Sequence, residues 1–539
     1  MRKIFLIALS VIAGTMLWAS PRSMQQARQF VAGAQHVHTA LQTNGQPAFY
    51  VFNKPNEGGF VIISADDRTY TVLGYSDKGH WDENDLPENA RAWLERYVED
   101  ISKIDDSYAP SRETATYTAI EPLCQTEWGQ RDPYNLLCPM WQTNHAVTGC
   151  VAIASAQIMK KHNYPTQGIG SHSYKWANEN GDSIELSADF GNTTYEWSNM
   201  LNTYTDNPTD EQKNAVATLI YHCGVAGELD YGKSTGGDSR FMLQQMIDHF
   251  GYDKGIRSYR HRYAPDSIIM NNIYSNLRIG QPVYISAKTT DNAGHAFICD
   301  GIDADGLLHI NWGWYGKSNG YYQFSVFAPQ EQGTGGSSSN KAYTELIRVF
   351  THIRPNDDGN YYYSLSCENI QVNQPAYHRD SLVRFHVDTL LNDSYNAWQG
   401  HLRLILYQNG VYYGSRSVSE DMSPLQPGYR RARINYSANF SNRTKYPDGE
   451  YELVVSARAT DLGTNSVIPI YSKGIGEWKC KMTITGDSIY INAPQQPEGI
   501  FYPSYETAEK AQKFVRDGVL YIRRGKDIYT VTGLKVGVE

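Results

Sequence analysis

Cys150 opens the run Cys150-Val151-Ala152-Ile153-Ala154, directly after Thr148-Gly149, and His295 lies 145 positions later in Ala293-Gly294-His295-Ala296-Phe297. A cysteine at the start of a small-residue helix and a histidine on a later apolar strand are the two halves of a thiol nucleophile and its base. Such a pair attacks an amide carbonyl, keeps the acyl group as a thioester and lets water release it. Each residue alone has a blander explanation. A free cysteine is most often a small buried hydrophobe, and a histidine among apolar neighbours is most often a satisfied core residue. The chemistry therefore needs partners elsewhere in the chain.

Two further segments offer them. Asn311-Trp312-Gly313-Trp314 begins sixteen positions after His295. An amide or an indole from it could hold the imidazole and shield it from water, the third role in triad logic. Acyl transfer also needs donors for the oxyanion. The backbone N–H of Cys150 is one. Gln130, in Trp128-Gly129-Gln130-Arg131, is a candidate for the second, although a glutamine of this kind is more often a surface-turn residue. His145, five positions before Cys150, is a rival base.

These groups need elements to place them. Ala152, Ala154, Ser155 and Ala156 are small, so a helix beginning at Cys150 can pack closely in a domain centre, and Asn163-Tyr164-Pro165 would end it. A thiol at a helix N-terminus feels the positive end of the macrodipole, which favours the reactive thiolate. Gly149 lets the backbone turn sharply before it. His295-Ala296-Phe297-Ile298-Cys299 reads as a strand, with His309-Ile310-Asn311 as its partner.

At 539 residues the chain should hold several domains. A hydrophobic content of 41% marks it as globular. The net charge of −9, with no long basic run, argues against nucleic acid as a partner. There is no Cys-x-x-Cys and no His-Glu-x-x-His, so neither a metal nor another cofactor is expected. The seven cysteines are an odd number, which leaves at least one free thiol, assigned to Cys150. Cys367 and Cys480 could pair with each other. Arg2 and Lys3, an apolar run over 4–18, and Ala19-Ser20 read as an export signal over 1–19. The run is shorter than the ~20 residues of a membrane span. The expected mature protein is therefore secreted or associated with the cell surface, without an integral membrane segment.

Along the chain, 20–118 forms a unit with a short helix over 21–33, apolar strands at Phe49-Tyr50-Val51-Phe52 and Phe60-Val61-Ile62-Ile63, and a helix over 88–104. A polar stretch over 105–118 is suited to proteolytic nicking. Residues 119–354 hold the chemistry. The following 355–495 carries short strands and turns, including a hairpin at Asn409-Gly410, and reads as an all-β sandwich. A last β-module occupies 496–539.

Together the segments resemble the streptopain family of papain-like cysteine peptidases. The resemblance covers about 119–350. It rests on Trp128-Gly129-Gln130 with Pro133-Tyr134-Asn135, on Ala146-Val147-Thr148-Gly149-Cys150-Val151-Ala152, on Ala156-Gln157-Ile158-Met159-Lys160 with His162-Asn163-Tyr164-Pro165, on Gly294-His295-Ala296-Phe297, and on Asn311-Trp312-Gly313-Trp314. The 20–118 unit is similar to the family's propeptide at Gly59-Phe60-Val61-Ile62 and Val72-Leu73-Gly74-Tyr75-Ser76. The resemblance implies an α+β papain-like catalytic domain preceded by an α+β propeptide and followed by an Ig-like sandwich and a β-module.

It also implies Cys150 as nucleophile, His295 as general base and acid, Gln130 in the oxyanion hole, and Trp312 beside the histidine, with Asn311 kept as a second orienting candidate. Gly333, Gly335 and Gly336 look like the family's mobile glycine-rich loop near the substrate cleft. The terminal module resembles sorting or attachment modules of exported Bacteroidetes-type proteins. The expected activity is endopeptidase cleavage of proteins by a zymogen whose own propeptide inhibits it. The rival expectations are an amidase or transferase using the same dyad, and an inactive adhesin or inhibitor-like protein that keeps the fold.

Overall fold

The computed structural model describes residues 21–104, 117–288, 294–326, 347–357, 362–417, 422–463 and 466–492, and the backbone of four strands between 512 and 538. The expected export signal (1–19), nearly all of the 105–118 stretch and the glycines Gly333, Gly335 and Gly336 lie outside the described residues.

The chain begins with helix α1 (Met24–Ala27), closed by a reciprocal Ser23–Gln26 capping box, and a single 3-10 turn at Arg28–Phe30. This is shorter than the helix expected over 21–33. Within those residues only Ala27 and Val31 are buried, too narrow an apolar face to hold three turns in place. Four antiparallel strands follow: β1 (Gln35–Leu41), β2 (Pro47–Asn53), β3 (Phe60–Ser64) and β4 (Val72–Ser76). Helix α2 (Glu88–Ser102) buries Ala90, Trp93, Leu94, Tyr97 and Ile101, the 3–4 spacing of one helical face.

The next region opens with a small hairpin, β5 (Met140–Trp141) and β6 (Asn144–His145), and then helix α3 (Cys150–His162). A second hairpin, β7 (Ser171–Ala177) and β8 (Ser183–Asp189), precedes helices α4 (Asp210–Ala226) and α5 (Ser239–Phe250). Strand β9 (Arg257–Arg260) and helix α6 (Asp266–Leu277) lead to β10 (Val283–Lys288), β11 (Gly294–Ile302), β12 (Leu308–Asn311), β13 (Gly320–Tyr322) and β14 (Arg348–Thr351).

These strands do not form a sheet of their own. The order β1-β2-β3-β4-β13-β12-β11-β10-β14-β9 is continuous, and β4 joins β13 through Tyr75 opposite Tyr321 and Gly74 opposite Tyr322. The two-residue period of β11 divides the core. Ala296 and Ile298 pack on the side of α3, α4 and α5, while Phe297 and Cys299 pack on the side of α2 and α6.

Beyond 355 the chain is β-structure, as expected. The long hairpin Trp398–Gln408 and Val411–Ser417 turns at Asn409-Gly410, both with positive φ (51° and 74°), as a tight hairpin turn requires. Most pairings are antiparallel, but Leu365–Cys367 runs parallel to Ile468–Ser472. All seven cysteines are free. Cys367 and Cys480 share the core around Tyr436 as separate thiols, which corrects the expectation that they might pair. The chain divides into two compact units between Gln496 and Pro497. The second is an antiparallel meander of Gln512–Arg516, Val519–Arg524, Asp527–Thr530 and Lys535–Val538. No helix among the described residues is long and apolar enough to cross a membrane.

Candidate active site

Gly149 determines where α3 starts. Its φ of 84° lies in the left-handed region, and a Cβ there would stand 2.9 Å from Thr235 Cγ2. Thr235 is itself fixed, its Oγ1 donating to Val147 O at 2.6 Å. Cys150 is thereby the first helical residue. No acidic side chain occupies the first turn, so the positive end of the helix acts on the thiol.

The thiol meets the edge of β11. Cys150 Sγ donates to Gly294 O at 3.9 Å, and the Ala296 N–H donates to the sulfur. Strand β12 covers β11 only from Ile298 onward, where Asn311 pairs with it. Cys150 therefore engages the backbone on both sides of His295. Burial pushes the thiol pKa up, the N–H groups of Ala296, Cys150 and Val151 oppose that shift, and the Glu88 carboxylate of α2 adds to it. Cys150 still keeps part of its surface open, while the other six cysteines are buried.

The register of His295 is informative. It pairs with Ala287, in the row sequence that sets Ile285 opposite Phe297 and Val283 opposite Cys299. Strand alternation assigns it to the face packed by α2 and α6, not to the α3 face. Helix α2 is thus, with α6, an element on the histidine's side. Asn89 Nδ2 donates to Trp312 O at 2.8 Å, and the Trp93 ring meets Phe297 (5.7 Å between centroids) and Trp312 (6.3 Å) edge-on.

Trp312 is buried against Phe297, with ring centroids 4.8 Å apart, and its indole N–H donates to Ser318 O at 2.9 Å. Asn311 is braced at both ends of its amide. Nδ2 donates to Thr126 O at 2.7 Å, and Oδ1 accepts the Gly313 N–H at 3.1 Å. It ties the 126–130 segment to the turn after β12.

Gln130 is buried, and its carbonyl accepts the N–H of Thr148, two residues before Cys150. The neighbouring Gly129 lies under the Tyr315 ring, where a Cβ would come within 2.3 Å. His145, the rival base, places Nδ1 on Cys138 O at 2.6 Å. Among the described residues no group of three or more His, Cys, Asp or Glu side chains could hold a metal ion.

Much of each motif is packing. Gly313, with φ of 73°, stands where a Cβ would be 2.8 Å from Ile153 of α3. Gln157 accepts from Thr126 Oγ1 at 2.8 Å. Both contacts press the 126–130 and 311–316 segments onto α3. The sequence reading missed Tyr315, Thr235, Glu88 and Asn89. Tyr315 directly follows the tryptophan motif and could have been included. Nothing in the sequence marks Glu88 or Asn89, because their importance comes from long-range packing.

Comparison with known proteins assigns the region to a family. The Peptidase C10 family model matches residues 128–322, and the Spi protease inhibitor model matches 16–101. Streptopain of Streptococcus pyogenes is 34% identical over 309 residues, covering 54% of this chain and 77% of streptopain. The chain belongs to the Peptidase C10 family. The thiol protease/hemagglutinin PrtT of Porphyromonas gingivalis is 30% identical over 391 residues, covering 66% of this chain and 44% of PrtT. Among solved structures, a prointerpain A fragment of Prevotella intermedia, with its cysteine mutated to alanine, superposes with a TM-score of 0.52 at 30% identity. It covers 60% of this chain and 99% of that one. The C10 match contains Gln130, Cys150, His295, Asn311 and Trp312, and the inhibitor match runs through β1–β4 and most of α2. The protein is a C10 cysteine peptidase that carries an inhibitor-like propeptide domain in the same chain.

Proposed function

We propose that the chain is an exported cysteine endopeptidase made as a zymogen, with Cys150 and His295 as its catalytic pair. The observation that carries this reading is the engagement of Cys150 by the backbone on both sides of His295, while α2 covers the other face of the same strand. In the active form His295 takes the thiol proton, and the thiolate attacks the scissile carbonyl of a protein substrate. The Cys150 N–H and Gln130 hold the oxyanion. Imidazolium protonates the leaving amine, and His295 then activates the water that hydrolyses the thioester. Trp312 shields and orients the imidazole from the turn after β12. The propeptide, in this reading 20–118, blocks catalysis until it is cut in the 105–118 stretch. Strand alternation supports that view, since it gives His295 to the face that α2 occupies.

The test is a paired incubation of full-length wild type and Cys150→Ala, with intact mass followed over time and casein added to a parallel tube. Loss of about the first hundred residues and casein cleavage, both confined to wild type, are expected. Equal trimming of both proteins in the absence of other proteases would exclude self-processing. A wild type that cleaves no casein even after trypsin nicks the 105–118 stretch would favour an inactive relative.

A further inference from the structure

The β-sandwich does not hang from the peptidase as a separate accessory. Its loop Asn392-Asp393-Ser394-Tyr395-Asn396 enters the peptidase core. Tyr395 is only 5% exposed and belongs to the apolar cluster built by α3, α4 and α5. Its ring lies 4.6 Å from the Arg240 guanidinium, and its hydroxyl donates to Arg240 O at 3.4 Å. Arg240 in turn donates to the carbonyls of Asp393 (3.0 Å) and Ser394 (2.7 Å). The residue before Arg240 is Ser239, at the start of α5, whose Oγ accepts from the buried Tyr284 hydroxyl at 3.0 Å. Tyr284 interacts electrostatically with both Cys150 and Tyr395.

A second route runs through the sheet. The Asp393 carboxylate is buried and holds two arginines: Arg260 Nε at 2.8 Å, and Arg348. Ser366 Oγ donates to its other oxygen at 2.8 Å. Arg260 and Arg348 are directly opposite each other on β9 and β14. Arg348 is opposite Ser286 on β10, and Ser286 is opposite Ala296 on β11. Ala296 is the residue whose N–H reaches the Cys150 sulfur. One cross-strand row therefore runs from Asp393 of the sandwich to the catalytic thiol.

We propose that Asp393 and Tyr395 of the sandwich are positioning residues for the peptidase reaction. Tyr395 sets the Ser239–Tyr284 wall, and Asp393 pins the outer end of the row that ends at Ala296. Neither touches the reacting atoms. Both fix where the thiol stands relative to β10 and β11, and a displacement of the order of 1 Å there is enough to slow acyl transfer. The sandwich is accordingly required for full activity and not only for attachment.

The experiment compares Tyr395→Ala, Tyr395→Phe and Asp393→Asn in the full-length chain after maturation, or after trypsin nicking where maturation stalls. Val455→Ala, in the sandwich core away from the loop, serves as a stability control. Three readouts are taken: kcat and KM on a peptide substrate, the pH profile of Cys150 alkylation by iodoacetamide, and the melting temperature. In Tyr395→Ala and Asp393→Asn, kcat is expected to fall about tenfold or more with a smaller change in KM, and the pH midpoint of alkylation to move. Tyr395→Phe keeps the ring over Arg240 and should restore most of kcat. Val455→Ala should melt lower while leaving kcat and the alkylation profile unchanged. An unaltered kcat and profile in Tyr395→Ala and Asp393→Asn would overturn the proposal, as would an equal loss in Val455→Ala. The kcat readout rests on the peptidase reading, but alkylation does not. A wild type that is alkylated yet cleaves nothing counts against that reading, and the loop is then judged on alkylation alone.

Discussion

Asn89 of the propeptide and Trp312 of the peptidase are joined by one buried hydrogen bond, from side-chain amide to main-chain carbonyl, at 2.8 Å. It ties α2 to the turn that follows β12, close to where Glu88 acts on the Cys150 thiol. Removing the donor leaves a buried carbonyl without this partner, at a cost of about 1–3 kcal/mol. Asn89→Ala should therefore mature faster than wild type, on the order of tenfold, as followed by intact mass. Asn89→Asp should mature at least as fast, since a carboxylate would face that carbonyl. Unchanged maturation in both would remove this contact from the inhibitory hold.

The docked helix also carries a buried acid. Burial raises the Asp100 pKa to about 6, against the opposing pull of Arg96, Lys103 and His261. The folded state then binds the proton more tightly than the unfolded chain, whose carboxyl titrates near 3.8. Between these two values rising pH removes stability, and above about 6 the full cost of a buried charge is present. Asp100→Asn should thus raise the melting temperature of the unprocessed chain at pH 7 and have little effect at pH 4. The measurement is a series of thermal melts in the Cys150→Ala background, which keeps the propeptide attached in the proposed mechanism. A larger stabilisation at pH 4 than at pH 7 would show the sign to be wrong.

Thiol chemistry should be confined to one position. Burial pushes the thiols of Cys138 and Cys367 up to about 12 and those of Cys124 and Cys299 well above the usual range, and Cys223 and Cys480 are raised as well. Cys150 alone keeps an open surface among the seven. Iodoacetamide on the native matured chain should add a single group, located at Cys150 by peptide mapping, and none to Cys150→Ala. In denaturant all seven should react.

Gly149→Ala tests the start of α3. The left-handed φ costs a residue with a side chain about 1–2 kcal/mol, and the new Cβ also crowds Thr235. A melting temperature lower by a few degrees is expected, together with a fall in kcat larger than that in KM, because the helix start carries the thiol. Gly410→Ala, in the sandwich hairpin with a φ of 74° and open space around its Cβ, should lose comparable stability without the catalytic penalty.

What the sequence revealed was local. The small residues after Cys150 announced α3, and Asn409-Gly410 announced its hairpin to the residue. The helix expected over 88–104 is α2 with its end two residues earlier. The site segments could be read because glycines at 129, 149 and 313 and the amides of Asn311 and Gln157 must occupy fixed places around α3. Contacts between regions could not be read. No periodicity in Val72-Leu73-Gly74-Tyr75-Ser76 says that it will pair with the distant strand of Tyr321 and Tyr322. Tyr395 looks like one more tyrosine among 40, and its place in the peptidase core depends on how the sandwich docks. The helix over 21–33 was overestimated for a related reason, since its apolar residues have little to pack against.

The joined sheet has a consequence for what happens after cleavage. The strand pairing between propeptide and peptidase is two residue pairs wide, Tyr75–Tyr321 and Gly74–Tyr322, and is extended by main-chain hydrogen bonds from the Gln323 N–H to Leu73 O (2.9 Å) and from the Tyr70 N–H to Val326 O (3.4 Å). Unzipping it breaks few main-chain bonds, and α2 adds side-chain hydrogen bonds from Asn89, Arg96 and Tyr97 to the carbonyls of Trp312, Phe324 and Gln323. Its departure also turns β13 from an interior strand into a border. A border that short offers little template for another chain, so loss of the inhibitor domain would remove four strands of this ten-stranded sheet without creating a long adhesive edge.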